Sequence, residues 1–414
     1  MKPGDYIEIK TASETFKGVL MPDSTAGKLV LKLDSGYNVG IDKTKIKSKK
    51  LIKTMAKKPK KTKKVQVSKK LPTILILHTG GTIASKVDYK TGGVVPKFNP
   101  EEILELYPEL KNIANIKTKL ISNVFSEDLD FKDYNKLVKE ISKLKGYDGI
   151  IITHGTDTMH YTSAALSFML DELGFPILLV GSQRSSDRGS SDAAINLICA
   201  ANFIVKSDFA GVAICMHSSL DDDSCYILNG LKAKKLHSSR RDAFQPINTK
   251  PIALVSKDGK IVEISKNYPR KDKTKKLKAS FLDETLKIGF LKAHPNMSHL
   301  ELSGLSKFDG IIIEGTGLGH LPINYNMQLF SELKRLKIPI VMCTQTIFGR
   351  VNLNVYSTGR KLQDFVFSGS DMTPETAFIK LAWLLSNEKD TKLMLSNLKG
   401  EINERISDEF LQNY

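Results

Sequence analysis

The chain has 414 residues, 41% hydrophobic and 26% charged, with a net charge of +17. At roughly 100–200 residues per domain this predicts two to four domains with a sizeable core, and it excludes a disulfide-stapled mini-protein and a wholly disordered chain. Its longest apolar runs, such as Ile74–Leu77 and Ile177–Val180, fall far short of the roughly 18 residues of a membrane span.

The opening Met1-Lys2-Pro3-Gly4-Asp5-Tyr6 has no apolar stretch of the signal-peptide kind, so a cytoplasmic protein is expected. Short strands follow at Asp5–Lys10, Thr15–Met21, Lys28–Leu33 and Tyr37–Ile41, separated by Pro22-Asp23-Ser24, Gly27 and Asp34-Ser35-Gly36. Such spacing predicts a small all-β, SH3-like barrel over residues 1–54. Residues 55–71 are lysine-rich, contain Pro59, and read as a linker. Between Ile41 and Lys70 there are fourteen lysines and one acid, leaving only +4 on the other 384 residues. A block of this kind is either a solvated, self-repelling linker or an attractor for a phosphate backbone. It contains no interleaved aromatics for base stacking.

From Pro72 onward the pattern is α/β. Continuous apolar runs at Thr73–Leu77, Gly149–Ile152, Pro176–Val180, Gly211–Cys215, Gly310–Ile313 and Pro339–Met342 predict parallel sheets covered on both faces. Helices are expected over Ser163–Leu173, Asp192–Val205 and Pro374–Ser386. A basic, aperiodic stretch near Ser265–Leu277 divides a larger α/β domain (72–265) from a smaller one (285–414), with 266–284 as their connection. Cys199, Cys215, Cys225 and Cys343 show no CxxC spacing and read as reduced, buried thiols.

In open parallel sheets ligands bind beyond the carboxyl ends of the strands. The segments there are His78-Thr79-Gly80-Gly81-Thr82, Thr153-His154-Gly155-Thr156-Asp157-Thr158, Gly181-Ser182-Gln183-Arg184 and Glu314-Gly315-Thr316-Gly317-Leu318-Gly319-His320. Glycines let a backbone approach a ligand, and threonine hydroxyls can attack a carbonyl if a base removes the proton. There is no GxGxxG after the first strand, no GxxxxGK[ST] and no HExxH, so neither a standard nucleotide site nor a zinc site is indicated. His154 reads as a structural, hydrogen-bonded histidine.

Thr79-Gly80-Gly81-Thr82-Ile83-Ala84 and His154-Gly155-Thr156-Asp157-Thr158, in this order and each after an expected strand, resemble the two signatures of the bacterial-type L-asparaginase family. The resemblance runs from about Leu71 to the C-terminus. It implies an asparaginase-like body of two α/β domains with parallel sheets. The runs Gln183–Asp192, His237–Phe244 and Glu314–His320 and the preceding barrel are closer to the branch of that family that supplies glutaminase subunits to archaeal tRNA-dependent amidotransferases.

That resemblance implies hydrolysis of glutamine to glutamate and ammonia. A tRNA-binding kinase and transamidase partner would then use the ammonia, with ATP and Mg2+ on the partner, to convert Glu-tRNA(Gln) to Gln-tRNA(Gln). No cofactor or metal is implied in this chain. A homodimer within a heterotetramer is implied, with the tRNA contacted mainly through the partner. By motif position Thr79 is the nucleophile, and Thr156, Asp157 and Lys235 form a proton-relay triad. The first attack is left open between Thr79 and Thr156. The family's lysine lies some nine residues before the position of Phe244, which selects Lys235 over Lys232 and Lys234. A lysine base requires burial or nearby positive charge. Asp157 would orient the lysine or hold the substrate's α-ammonium. Ser126 and Glu127 match the family's substrate-binding serine–glutamine pair, with glutamate in place of glutamine. Tyr89 corresponds to the mobile-loop tyrosine.

Free asparaginases also borrow a glutamate from a neighbouring subunit, and Thr344–Arg360 contains none. Two other readings compete: a free L-asparaginase with an accessory barrel, and an RNA-binding protein on an inactive scaffold. Retention of Thr79, Thr156, Asp157 and Lys235 together argues against the scaffold.

Overall fold

The computed structural model describes residues 1–21, 27–33, 38–54, 71–81, 83, 85–87, 94–96, 107–184 and 191–406. Apart from Leu71, the expected linker lies outside the described residues.

The N-terminal region is a five-stranded antiparallel sheet of Tyr6–Lys10, Thr15–Leu20, Lys28–Leu33, Asn38–Asp42 and Ser48–Lys53. Alternation along Tyr6–Lys10 buries Ile7 and Ile9 against Leu20, Leu29, Leu31 and Ile41, the period of two that a half-buried strand requires. The fifth strand returns beside the first, with Ile9 opposite Lys49 and Glu8 opposite Lys50. Part of the lysine block is therefore strand, and all six of its residues are exposed. Lysines on an edge strand oppose edge-to-edge pairing with another chain.

The larger domain is built on an eight-stranded sheet. Asn115–Val124, Thr73–Gly80, Gly149–Thr153, Pro176–Val180 and Gly211–His217 run parallel in that spatial order. Ser224–Asn229, Ala253–Ser256 and Ile261–Glu263 extend it antiparallel. Because successive side chains alternate, Leu75, Leu77, Ile150, Ile152, Ile177 and Leu179 enter one core, while Ile74, Ile76, Ile151, Leu178 and Val180 enter another. The second core is covered by the helix Ala193–Lys206. The first is shared with the smaller domain, whose four-stranded parallel sheet runs Ile288–Lys292, Gly310–Gly315, Ile340–Thr344, Phe367–Ser368. Helices Met159–Met169 and Pro374–Ser386 lie between the two sheets and supply Phe168 and Trp383 to that common core.

Two helix boundaries differ from expectation. The helix expected at Ser163–Leu173 runs Met159–Met169. The apolar run continues past it, but Leu170–Asp171 leaves the helix to pair with Lys278–Ala279, a partner a local pattern cannot reveal. The second helix begins at Ala193, with Asp192 at its N-cap position, and the Asp192 side chain makes no cap bond. Pro374–Ser386 is a helix over the expected span, capped by Thr373 with proline in its first turn.

The basic stretch after Ser265 is fastened to the larger domain. Lys271 donates to the Ile204 carbonyl at 2.6 Å, and the Asp272 N–H donates to the Gly174 carbonyl at 3.1 Å. All four cysteines are buried and unbridged. Among the described residues no helix is long and apolar enough to cross a membrane.

Candidate active site

Four parallel strands end at one place. Thr73–Gly80 stays in register with Gly149–Thr153 as far as His78–Thr153, and with Asn115–Val124 as far as His78–Leu120, after which the register shifts and Gly80 pairs with Val124. Gly81 has φ +80°, and a Cβ there would lie 2.3 Å from the Gly155 nitrogen. A Cβ on Gly155 would in turn lie 2.7 Å from Ser126 Oγ. Only residues without side chains let these three loops touch.

Thr79 is 2% exposed. Its hydroxyl donates to the Thr153 carbonyl at 2.9 Å, and its own carbonyl accepts from Ser122 Oγ at 3.0 Å. His78 Nδ1 lies 2.8 Å from Thr153 Oγ1, and burial pushes its pKa down to about 4. Thr156 is 5% exposed. Lys235 Nζ reaches Thr156 Oγ1 at 2.7 Å and Asp157 Oδ1 at 2.8 Å. The lysine side chain is 9% exposed and the aspartate side chain 66%. The site thus has a dry amine with one face toward a buried hydroxyl and the other toward an open carboxylate.

The hairpin explains the spacing of this lysine. Ala233–Lys235 pairs with Phe244–Pro246, which puts Lys235 directly opposite Phe244. The connecting turn is held by His237 Nδ1, which accepts from the Ser239 and Arg240 nitrogens at 3.1 Å each. The three nearby lysines are sorted by partner: Lys232 goes to Asp371 at 2.5 Å, Lys234 to Glu375 at 2.6 Å and Lys235 to Thr156.

Ser126 is buried against Gly155, and its carbonyl accepts from Thr158 Oγ1 at 2.6 Å. Glu127 is exposed beside it, with Oε2 3.4 Å from Ser126 Oγ. Tyr89, and Thr82 and Ala84 of the first signature, lie outside the described residues. His154 is enclosed: Nδ1 meets the Gly155 carbonyl at 2.6 Å and Nε2 meets Thr162 Oγ1 at 2.7 Å. A carbonyl only accepts, so Nδ1 carries the hydrogen and Nε2 accepts. Burial pushes its pKa down to about 4, as suits a neutral structural ring.

Sequence reasoning did not find the supports. Asp192 is fully buried and accepts from Ser182 Oγ at 2.8 Å and from the Gln183 and Arg184 nitrogens at 3.0 Å each. It shapes the loop whose Gly181 stands against the Thr156 methyl group. An aspartate opening an apolar helix reads as a first-turn residue of that helix, which masked this use. Ser122 carries no motif, and Thr158 closes the second signature without a role that its position reveals. Clefts of about 680 and 820 Å3 open elsewhere on the described surface, and neither is lined by Thr79, Thr156 or Asp157. Among the described residues no cluster of His, Cys, Asp and Glu could hold a metal ion.

Residues 73–269 match the N-terminal asparaginase domain and residues 287–394 the glutaminase/asparaginase C-terminal domain. Residues 1–52 match the GatD N-terminal domain. The chain is 44% identical to the GatD subunit of the Pyrococcus furiosus glutamyl-tRNA(Gln) amidotransferase, over 96% of this chain and 94% of that one. It belongs to the GatD family of glutamyl-tRNA(Gln) amidotransferase subunits. The GatD of Methanococcus maripaludis (strain C5) is 43% identical, over 99% of this chain and all of that one. The thermostable L-asparaginase from Thermococcus kodakarensis is 33% identical with a TM-score of 0.69, covering 80% of this chain and 100% of its own. The GatD family thus shares its body with asparaginases, and residues 1–52 have a domain family of their own.

Proposed function

We propose that this chain is the glutaminase subunit of a glutamyl-tRNA(Gln) amidotransferase, working in the cytoplasm. Membership of the GatD family supports the reaction. The observation that carries the assignment of residues is the position of Lys235 Nζ between Thr156 Oγ1 and Asp157 Oδ1.

With a lone pair on Nζ, Lys235 takes the proton from a threonine hydroxyl, and the oxygen attacks the side-chain amide carbon of glutamine. The tetrahedral intermediate collapses when the lysine returns that proton to the amide nitrogen, which leaves as ammonia. Water then cleaves the threonine ester to release glutamate. Thr156 is in contact with the base, whereas Thr79 hydrogen-bonds to the Thr153 carbonyl. Thr156 relays the proton when Thr79 attacks, and is itself the nucleophile in the alternative order. Asp157, being exposed, meets the substrate's α-ammonium as it orients Lys235. Ser126 and Glu127 border the same loops and bind the α-carboxylate and α-ammonium. Tyr89 is assigned to orienting the nucleophile.

The ammonia is consumed by a tRNA-binding kinase and transamidase partner that holds ATP and Mg2+. This chain uses no cofactor of its own and forms a homodimer inside the heterotetramer. The test is ammonia release from glutamine and from asparagine, by the chain alone and with its partner and Glu-tRNA(Gln). A rise confined to glutamine on adding partner and charged tRNA is expected. Strong release from asparagine by the chain alone, indifferent to tRNA, would replace this reading with a free asparaginase.

A further inference from the structure

Lys235 belongs to the larger domain, yet the residues before it are tied to the smaller one. Thr376 Oγ1 donates to the Leu231 carbonyl at 2.8 Å. Lys232 Nζ donates to Asp371 Oδ2 at 2.5 Å, with both side chains buried. Lys234 Nζ donates to Glu375 Oε1 at 2.6 Å. Adjacent residues in a strand point to opposite faces. Lys234 is therefore held on one side of a three-residue strand while Lys235 reaches Thr156 on the other.

The acceptor end is itself fixed. Glu375 is the second residue of the helix Pro374–Ser386, where the exposed N–H groups of the first turn favour a carboxylate. It is 9% exposed. Burial pushes its carboxyl up, but Lys234 and His160 facing it leave it below the ordinary carboxylate range. His160, four residues after Thr156, presents Nε2 3.8 Å from Glu375 Oε1 and lies edge-on to Phe244, the residue opposite Lys235. Among the described residues His160 Nδ1 and Glu375 Oε2 have no hydrogen-bond partner. A buried cluster with two unsatisfied atoms costs stability relative to an apolar contact of the same shape, so packing alone does not account for it.

We propose that Glu375 of the smaller domain is a positioning residue for Lys235. Through Lys234 it clamps the short strand from behind, and this holds Nζ in reach of both Thr156 and Asp157. The smaller domain thereby sets the geometry of a site whose reacting groups all belong to the larger one. The proposal rests on the reading of Lys235 as the base. A strand free to slide by about 1 Å would still bind glutamine but would misplace the proton acceptor, a displacement that can cost about a hundredfold in rate.

The test is steady-state ammonia release from glutamine by the full-length chain in its amidotransferase complex, for E375Q, K234M, K234R, the double variant E375Q/K234M, and K235M. E375Q and K234M are each expected to lower kcat about 10- to 100-fold with KM changed by less than about threefold. K234R, which keeps the charge and a longer donor, should hold kcat within about threefold. The double variant should be no worse than the poorer single one, as for residues acting through one contact. Folded protein is quantified by circular dichroism, and rates are expressed per folded chain. E375Q at the wild-type rate per folded chain, with K235M inactive, would overturn the proposal alone. K235M at the wild-type rate would overturn the assignment of the base. Should E375Q not fold, K234M against K234R carries the same comparison, and equal wild-type rates for both would overturn the proposal.

Discussion

A Cβ placed on Gly81 would stand 2.3 Å from the backbone nitrogen of Gly155, and Gly81 has φ +80°. The two family signatures are thus locked together at their glycines, and the threonine of each is presented by that contact. Gly81→Ala should cost about 2–5 kcal/mol, from left-handed strain and overpacking combined. It should also abolish glutamine hydrolysis. Urea unfolding and ammonia release check both, and a stable, active variant would contradict the contact.

Lys235→Met should reduce ammonia release by about 10³-fold, the range expected when a general base is removed. Its melting temperature should stay within a few degrees of wild type, since Met fills the same channel. Thr156→Val and Thr79→Val should fall comparably. An acyl-enzyme that accumulates with glutamine in Thr79→Val but not in Thr156→Val would place the first attack on Thr156, and the reverse would place it on Thr79.

Asp192→Ala leaves the Gln183 and Arg184 nitrogens without their acceptor and takes one of two acceptors from Ser182 Oγ, which keeps the Arg184 carbonyl. The expected loss is about 2–4 kcal/mol, because two backbone donors lose the same buried acceptor together. The loop from Gly181 packs on the Thr156 methyl, so kcat should fall as well. Chemical denaturation with parallel kinetics reads the two effects separately.

The pH dependence of stability has a definite sign. Burial pushes His78, His154 and His160 from 6.5 to about 4 in the folded chain. The unfolded chain binds a proton at each near pH 6.5, while the folded chain excludes it until about pH 4. Their neutral burial is therefore fully tolerated above pH 6.5, and stability is lost as pH falls from there toward 4. Each contributes at most about 3 kcal/mol. Urea midpoints measured from pH 7.5 to 4.5 should fall steadily, and a flat profile would contradict the assignment.

Lys380 and Glu401 form an ion pair at 2.6 Å with both side chains wholly buried. Lys380 also donates to the Ser396 carbonyl at 2.5 Å, and Glu401 accepts from the Lys399 nitrogen at 2.7 Å. Lys380→Met should destabilise by about 3–5 kcal/mol by leaving a buried carboxylate unpaired. Adding Glu401→Gln should restore part of that loss. Thermal melts of the two variants decide it.

Much of the body was legible along the chain because its strands are buried on both faces. Ile150, Ile151 and Ile152 point alternately into two different cores, so a continuous apolar run is the only composition that suits them. Helix Pro374–Ser386 was legible because its start carries local chemistry, a threonine cap and a proline. The helix at Met159–Met169 ends four residues before the expected Leu173 because the chain there pairs with a strand over a hundred residues away. The same limit hid Asp192, whose partners are loop nitrogens on its N-terminal side.

By itself the sequence determined the α/β architecture, the two threonine-bearing turns and the identity of the chemically able residues, since these rest on local pattern and side-chain type. Only the tertiary structure decided which of three neighbouring lysines meets which acceptor. Lys232, Lys234 and Lys235 are nearly equivalent as text. They are separated by strand alternation and by Asp371, Glu375 and Thr156, which approach from different elements. Function at this site depends on distances of a few ångströms between segments far apart in the chain, and those are set by packing of two domains about one shared core.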